Sequence, residues 1–367
     1  MRKILLAGRE RYALPILQPL VDALNAANYR VYAWFDGPLA AQGATLSQAT
    51  RVATREAISL RPAAVLCAMN WIPTFFAGAK VQLFHGFSTG KNSDHRGHFR
   101  IRGLFDLYCT QGPDTTERFV ELSLRAGSFA VMETGWPKLD PLFGVDAGPS
   151  EQLRRRAGGR GIVMFASTFT RHVSAAPHLF ESIRRQVQRG DRYWLITLHP
   201  KCPAELFSRY RSLAGPSATF VEPEDLMNAE RAADVLLSDT TSVVPEFLVQ
   251  HKPVVTFRHR NPPPCILDIR DPAGLDAALA AAFGPSPELM ASIAAYAHRI
   301  HPYRDGRSSQ RVIGAVEKLL AGGLGQLKPK PFAARIRALQ MRWRLRYWGP
   351  GARGSRVQPP DEQPPER

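Results

Sequence analysis

Short apolar runs alternate with helical segments along this chain, and that alternation limits the fold more than any other feature. Residues 3–7 form an apolar run, residues 14–27 carry apolar side chains at helical spacing, and residues 30–35 form a second run. Two further short runs follow at residues 63–68 and 80–84. Short apolar runs that alternate with amphipathic helices are typical of parallel strands joined by crossover helices. The first part of the chain is therefore predicted to be an α/β domain with a parallel sheet.

The same alternation begins again after a glycine- and arginine-rich stretch at residues 144–161. Its strand-like runs are residues 162–166, 193–198, 218–221, 235–237 and 253–257. We predict two doubly wound, Rossmann-like domains, at residues 1–145 and 146–325, which face a central cleft. Such domains bind ligands at the carboxyl ends of their strands, so a ligand is expected in that cleft. The helical segment 308–320 is also compatible with a return towards the first domain.

The charge of the chain is unusual, whereas its apolar content is ordinary. The 367 residues carry a net charge of +16, and 44% of them are hydrophobic. No apolar run approaches the length of about 18 residues that spans a membrane, so no membrane-spanning helix is predicted. The four cysteines are widely spaced, without the spacing of a metal site or the density of a disulfide framework. Reduced thiols and a cytoplasmic location are expected.

The positive charge is concentrated near the C-terminus, between Lys328 and Trp348. This segment has seven basic residues, no acidic residue, and large apolar and aromatic side chains between them. The composition fits a helix at an anionic membrane surface, a segment that binds RNA, or a helix that packs on its own protein. We expect the first: a basic amphipathic segment that attaches the protein peripherally to the inner face of the cell membrane, without specific binding of nucleic acid. A disordered tail beyond Gly349 completes this third region, residues 326–367.

A hydroxyl-rich turn follows the strand-like run at residues 235–237. Its residues are Ser238, Asp239, Thr240, Thr241 and Ser242, and a helical pattern begins directly after them. The start of a helix offers unpaired N–H groups and a positive dipole, and hydroxyl groups add further donors. The turn is therefore predicted to bind a donor phosphate. Ordinary helix capping is the alternative, since Ser, Thr and Asp are the preferred capping residues.

A histidine and a glycine, His85 and Gly86, follow the strand-like run at residues 80–84. A histidine at the end of a strand can accept a proton from a substrate hydroxyl near neutral pH. Gly86 permits an unusual backbone angle or the close approach of a ligand. The alternative is a structural histidine that bonds to a loop. The polar and basic residues 88–102 then predict a solvated loop or a loop that faces the acceptor.

Other strand ends and turns add candidate ligands. The turn at residues 134–140 contains Lys138 as a predicted phosphate contact and Asp140 as a further residue of the cleft, with a structural hinge as the alternative. Two strands of the second series end in polar pairs, Ser167 with Thr168 and His199 with Lys201. An imidazole and an ammonium group can stabilise charge on a leaving phosphate.

Two candidates belong to helix starts. Glu246 lies about one helical turn after Ser242, where it contacts the ligand or supports the start of the helix. Arg307 and Ser308 begin another helical pattern, which predicts either a second anion contact or a capped helix with a basic first turn.

Two familiar motifs are absent from the sequence. It contains no Asp-x-Asp pair, so no divalent cation held between two such carboxylates and a diphosphate is indicated, and no metal or cofactor is expected. It also lacks the glycine-rich phosphate loop of ATPases.

Five motifs in one order resemble a known family. They are His85-Gly86, Gly135-x-Pro137-Lys138-x-Asp140, His199-Pro200, the turn from Ser238 to Ser242, and Asp305-Gly306-Arg307-Ser308-Ser309-x-Arg311. Together they resemble the CDP-glycerol glycerophosphotransferase family, whose members build teichoic-acid-like polymers. The resemblance extends over about residues 75–320.

The resemblance implies a GT-B fold whose second domain binds the activated nucleotide. It implies transfer of glycerol phosphate, or a related alditol phosphate, from a CDP-activated donor to an acceptor hydroxyl, with release of CMP. The acceptor would be a lipid-linked molecule or a polysaccharide at the inner face of the membrane. By motif, His85 would be the base, His199 the second important histidine, and Ser238 to Ser242 the turn that binds the nucleotide phosphates.

Two other classes of function remain open at the level of sequence. A nucleotide-sugar glycosyltransferase or a UDP-sugar epimerase would share the two-domain architecture, and fold does not determine function. A non-catalytic protein that associates with membranes or nucleic acid would use the basic C-terminal segment as its functional element.

Overall fold

Parallel strands form both sheets of this protein, as the alternation of strands and helices predicts. The computed structural model describes residues 1–87, 99–144, 148–170 and 172–349. The chain divides into two compact units: unit 1 comprises residues 1–140 and 305–367, and unit 2 comprises residues 141–304. Residues 88–98 of the predicted polar loop 88–102 lie outside the described residues, as does the predicted disordered tail after Gly349.

Unit 1 is built on a seven-stranded sheet, in the order β3-β2-β1-β4-β5-β6-β7. Its strands are β1 Lys3–Gly8, β2 Arg30–Phe35, β3 Thr50–Arg51, β4 Ala64–Cys67, β5 Ala79–Leu83, β6 Leu107–Thr110 and β7 Ala130–Glu133. The helices of its N-terminal part are α1 Leu14–Ala26, α2 Gly37–Ala41, α3 Thr54–Leu60 and α4 Pro113–Ala126. The central strands are buried on both faces, which explains why β1 and β4 are continuous apolar runs.

Unit 2 has a six-stranded parallel sheet, in the order β10-β9-β8-β11-β12-β13. Its strands are β8 Ile162–Ser167, β9 Tyr193–Leu198, β10 Ala218–Phe220, β11 Val235–Ser238, β12 Val254–Phe257 and β13 Leu267–Ile269. The helices are α5 Asp140–Phe143 at the junction, α6 Gly148–Ala157, α7 Ala176–Arg189, α8 Ala204–Arg211, α9 Leu226–Ala232, α10 Val243–Leu248, α11 Leu275–Phe283 and α12 Pro287–Ile300. Two separate clusters of buried apolar side chains pack on this sheet. The predicted pair of doubly wound domains is therefore confirmed.

The last two helices belong to unit 1, namely α13 Ser308–Leu320 and α14 Phe332–Arg344. The predicted boundary at residue 325 placed the first of them in the second domain, and the contacts correct it. Helix α13 packs against α1, and the Tyr29 hydroxyl donates to the Glu317 carboxylate at 2.6 Å. The backbone N–H groups of Ser308 and Ser309 bond to Asp140.

Helix α14 is the basic helix that the sequence predicts, and its inner face is fastened to unit 1. Just before the helix, the Lys330 ammonium lies 2.8 Å from the Asp106 carboxylate and donates to the carbonyl groups of Phe105 and Ser128. Within the helix, the side chain of Met341 is buried. No helix of the described residues is long and apolar enough to cross a membrane.

Candidate functional site

Each sheet has a point where the strand order reverses, and polar residues of the predicted site follow strands next to these points. In unit 1 the order reverses between β1 and β4, and β5 lies beside β4. In unit 2 it reverses between β8 and β11. Loops that leave the carboxyl ends of adjacent strands at such a point diverge and leave a crevice. Ser167 and Ser238 end the two strands at the unit 2 reversal.

His85 lies two residues after β5, in a half-buried position. Its ring stacks on Tyr12, with 5.1 Å between ring centroids and an interplanar angle of 30°. The indole N–H of Trp136 donates to the carbonyl of Phe84 at 2.7 Å, which fixes the backbone immediately before the histidine. The Trp136 ring also contacts Phe87 on the other side of the histidine. The imidazole is therefore held by aromatic contacts on a short, anchored loop.

Two influences lower the pKa of His85 from its ordinary value of 6.5. Burial is the larger, because it disfavours the charged imidazolium, and the positive charge of Arg102 acts in the same direction. The ring is neutral at pH 7 and able to accept a proton. Gly86 does not adopt a left-handed backbone angle, and no atom lies within 4 Å of where its side chain would begin, which favours the second alternative, the close approach of a ligand. This leaves room for a ligand beside His85.

Asp140 caps a helix, which changes the roles predicted for it and for Ser308. Its two carboxylate oxygens accept hydrogen bonds from the backbone N–H groups of Ser308 and Ser309, at 2.8 Å and 2.7 Å. The carboxylate is buried and compensates the positive end of the α13 dipole. These N–H groups are therefore occupied, and the predicted anion site at Ser308 is corrected to a capped helix. Arg307 is exposed beside them, and its predicted phosphate contact stays a prediction.

Asp239 of unit 2 is fully buried and binds the loop that follows β8. Its carboxylate accepts from the Ser167 hydroxyl at 2.6 Å and from the backbone N–H groups of Thr168 and Ala175 at 3.1 and 2.9 Å. Burial raises the pKa of Asp239, and these hydrogen bonds oppose that rise. The Asp239 carboxylate accepts three donors from its own chain, which favours a supporting role for Asp239 and Ser167; their predicted contact with phosphate stays a prediction. Thr168 keeps a free hydroxyl for its predicted role.

The hydroxyl turn divides into a buried half and an accessible half. The buried Ser238 hydroxyl donates to the Ala166 carbonyl at 2.7 Å, which the pairing of β8 with β11 brings opposite it. The hydroxyl of Thr241 lies 3.1 Å from that of Ser238. Thr240 is half-buried, and Ser242 is exposed and makes no capping hydrogen bond to α10. The Thr240 hydroxyl accepts from the backbone N–H of Arg260 at 3.1 Å. Ser242 is therefore the exposed residue of this turn, whereas the hydroxyl groups of Thr240 and Thr241 each have a partner in the protein.

His199 and Lys201 stand together at the end of β9. The backbone N–H of Lys201 donates to His199 Nδ1 at 3.1 Å, which leaves Nε2 to carry the proton of the neutral ring. The ring of Phe169, which follows β8, contacts the His199 imidazole with 4.4 Å between ring centroids. The Lys201 ammonium lies 5.4 Å from the centroid of the Phe169 ring. Burial and the charge of Lys201 lower the pKa of His199. The result is an exposed cluster of an N–H donor and a cation, suited to an anionic ligand.

Two further candidates have mixed outcomes. Glu246 lies in α10 with 1% of its surface exposed, which favours support of the helix start over contact with a ligand. The ammonium of Lys138 lies over the ring of Trp136, 5.2 Å from its centroid. Its predicted contact with phosphate stays a prediction.

Sequence reasoning missed the aromatic residues that hold the two histidines. Tyr12 and Phe169 are the ring partners of His85 and His199, and both are more than a third exposed. Trp136 is the middle residue of the Gly-x-Pro turn. An aromatic residue in a tight turn after a strand is the sequence signal that could have identified it. In the part of the chain that the structure describes, no three His, Cys, Asp or Glu side chains are grouped as metal ligands.

Comparisons with known proteins place the fold. The chain is similar to the wall teichoic acid polymerase TagF, with a TM-score of 0.65 and 14% identity over 89% of this chain and 90% of that one. A TagF variant soaked with CDPG gives a TM-score of 0.62 at 16% identity, over 89% of this chain and 90% of that one.

Two other solved structures have the same architecture. The structure of MnaA from S. aureus with UDP gives a TM-score of 0.61 at 16% identity, over 90% of this chain and 100% of that one. A UDP-N-acetylglucosamine 2-epimerase gives 0.57 at 16% identity, over 90% and 99%. No protein-family model and no curated protein sequence matches this chain. The fold is GT-B-like, with two parallel-sheet α/β domains.

Proposed function

We propose that this protein transfers glycerol phosphate, or a related alditol phosphate, from a CDP-activated donor to an acceptor hydroxyl in the synthesis of a cell-envelope polymer, and releases CMP. The observation that carries the proposal is that four of the five motifs that resemble the glycerophosphotransferase family lie at the carboxyl ends of strands, two in each sheet. Similarity in fold to TagF, of which one structure was soaked with CDPG, supports the same proposed function.

The proposal assigns the base to unit 1. The neutral His85 takes the proton of the acceptor hydroxyl, whose oxygen then forms a bond to the β-phosphorus of the donor while the bond to the CMP oxygen breaks. Burial, Arg102 and the stacked Tyr12 keep the imidazole neutral and oriented. General base catalysis of this kind typically contributes about 10²–10⁴-fold to the rate.

The proposal assigns the donor phosphates to unit 2. Thr240, Thr241 and Ser242 present hydroxyl groups at the reversal point of the sheet, and His199 and Lys201 present an N–H donor and a cation. Charge builds up on the CMP phosphate as it leaves, and donors fixed in advance stabilise that charge. Asp239 acts indirectly, because its hydrogen bonds hold the loop after β8 in place.

We also infer that helix α14 attaches the protein to an anionic membrane surface, where a lipid-linked acceptor would be found. Phe332, Ile336, Leu339 and Trp343 are 72%, 47%, 58% and 77% exposed, and their spacing places them on one side of the helix. Basic side chains flank this stripe, as in helices that lie in the membrane interface.

A donor panel tests the reaction class. CMP release is measured with CDP-glycerol and CDP-ribitol, and UDP release with UDP-sugars, in the presence of membranes as the acceptor source. The proposal predicts CMP release that depends on the membranes. Turnover of a UDP-sugar without turnover of either CDP-alditol would replace the proposal with a glycosyltransferase or an epimerase.

Vesicle flotation tests the membrane attachment separately. Exchange of Ile336 and Leu339 for serine is predicted to weaken binding to vesicles that contain phosphatidylglycerol, because the buried apolar area is lost. Leu124→Ser is the matched control, since Leu124 is 80% exposed on α4 and outside the stripe. Equal binding by all three proteins would refute a membrane role for α14.

A further inference from the structure

A pocket of about 290 Å³ opens in unit 1 beside helix α14. Three arginines line it: Arg102 from the segment before β6, and Arg337 and Arg344 from the helix. The indole of Trp71, which follows β4, forms another wall, and Gln340 lies at the helix side. The volume suits a small group rather than a whole nucleotide, because drug-sized ligands occupy pockets of roughly 300–1,000 Å³.

The positive charge of this pocket is only partly compensated. Arg344 lies 3.0 Å from the Asp36 carboxylate, but Arg9 shares that carboxylate at 2.8 Å. Neither Arg102 nor Arg337 forms an ion pair with any acidic side chain that the structure describes. Burial lowers the pKa of Arg102, and the neighbouring Arg100 and Arg337 guanidinium groups lower it further. Cations held close together without a carboxylate indicate a place for an anion.

The side chains of Arg337 and Arg344 are held in place before any ligand arrives. The Arg337 guanidinium donates to the backbone carbonyl of Arg102 at 2.7 Å, which ties the helix to the segment before β6. The Arg344 guanidinium lies 4.8 Å from the centroid of the Trp71 ring. Met341, which lies between Arg337 and Arg344 in the sequence, is buried. Planar guanidinium groups held in this way match the oxygens of a phosphate, to which they donate in pairs.

The pocket borders the exposed apolar stripe of α14. Residues 337, 340 and 344 are three or four positions apart and share one side of the helix. At about 100° per residue, the stripe of residues 332, 336, 339 and 343 is centred roughly 100° around the helix from that side. An anion in the pocket would therefore lie beside the surface that we infer to contact acyl chains.

We propose that the arginine pocket binds the phosphate group of an anionic membrane lipid while the apolar stripe of α14 contacts the acyl chains. This inference rests on the membrane attachment proposed above and adds a specific headgroup site to it. A lipid held at Arg102, Arg337 and Arg344 would fix the orientation of unit 1 at the bilayer surface.

A soluble lipid tests the pocket without a membrane. Binding of dihexanoyl phosphatidic acid to the full-length protein is measured by calorimetry below the concentration at which this lipid forms micelles. Arg102→Gln and Arg337→Gln are each predicted to weaken binding by at least about tenfold, because each removes charge-assisted hydrogen bonds. Arg335→Gln is the matched control, an exposed arginine of the same helix outside the pocket, and is predicted to bind as the wild type does. Arg102→Lys, which keeps the charge without the planar fork, is predicted to retain part of the affinity.

Each contrary result identifies what failed. Equal binding by the wild type and by both pocket variants, with their thermal unfolding unchanged, would overturn the headgroup site. Binding of inorganic phosphate as tight as that of the lipid would overturn the lipid as the source of the anion. Loss of vesicle binding in the Ile336 and Leu339 variants together with intact binding of the soluble lipid would separate the stripe from the pocket. Neither measurement involves CMP release, so the proposed reaction is tested independently.

Discussion

Two hydroxyl-rich helix starts in this protein have similar sequences and different structures. Before α13, Arg307, Ser308 and Ser309 precede a helix whose first N–H groups bond to the buried carboxylate of Asp140. Before α10, the hydroxyl groups of Thr240 and Thr241 bond to the Arg260 N–H and to Ser238, whereas Ser242 is exposed and its side chain makes no capping bond. The first start is filled by the protein itself, and the second is available to a ligand.

This difference shows what a local sequence motif cannot predict. The carboxylate that fills the first helix start is 168 residues away in sequence from Ser308. In the second case the acidic residue is inside the motif, but Asp239 turns inward to Ser167 and the loop after β8. Serine, threonine and aspartate residues thus cap a helix, hold a loop in place or face solvent, depending on which groups the fold brings next to them.

The largest expected effect comes from removing the carboxylate at the filled helix start. Asp140→Ala leaves two buried N–H groups without a partner, so we expect a loss of roughly 3 kcal/mol in the free energy of unfolding. Urea denaturation followed by circular dichroism measures it. Thr240→Ala at the other start should change stability by less than about 1 kcal/mol. Similar losses in both variants would mean that the two helix starts do not differ.

A smaller effect is expected on binding of the donor. Ser242→Ala removes an exposed hydroxyl donor from the proposed phosphate site, so we expect KM for CDP-glycerol to rise by about tenfold with no change in unfolding temperature. Ser309→Ala is the control at the filled start and should leave KM unchanged. A rise in KM in the Ser309 variant alone would reverse the assignment of the two motifs.

The smallest expected effect is a shift in pH dependence, which compares the two histidines at strand ends. Activity requires the neutral form of His85, whose pKa burial and Arg102 lower below 6.5. We therefore expect kcat/KM to fall on the acid side with a midpoint below pH 6.5, where that lowered pKa lies. Arg102→Gln removes one of the two causes, so the acid limb should move to higher pH. An acid limb that does not move in this variant, and moves in Lys201→Gln instead, would point to His199, since Lys201 lowers the pKa of His199.

Much of the fold could be predicted because parallel sheets have a simple signature. Strands β1, β2 and β9 and helix α13 fall where the apolar periodicity places them. Strands β6 and β7 were not predicted, although β4, β11 and β12 are equally short and were; β6 and β7 end in the polar residues Thr110 and Glu133. Assignment of α13 to the wrong unit had a different cause. Its partners, Tyr29 and Asp140, lie far away in the sequence, and no local pattern reveals them.

The candidate site could be predicted less well than the fold. Motifs at strand ends found His85, His199 and the hydroxyl turn, because strand ends are where parallel sheets present side chains to ligands. The residues that hold the histidines, Tyr12 and Phe169, were missed, since a single aromatic residue in a loop has no distinctive pattern. Burial of Ser238, Asp239 and Glu246 depends on packing, which hydroxyl and carboxylate residue types do not disclose.

The central claim, that His85 is the base of a CDP-alditol transfer, is tested most directly by the rate of CMP release in a single turnover. Wild type, His85→Ala and His298→Ala are compared with CDP-glycerol and membranes; His298 is an exposed histidine of α12 and serves as the control. The account predicts a fall of about 10²–10⁴-fold for the His85 variant and none for the His298 variant. Release of CMP at the wild-type rate by a folded His85→Ala protein would contradict it.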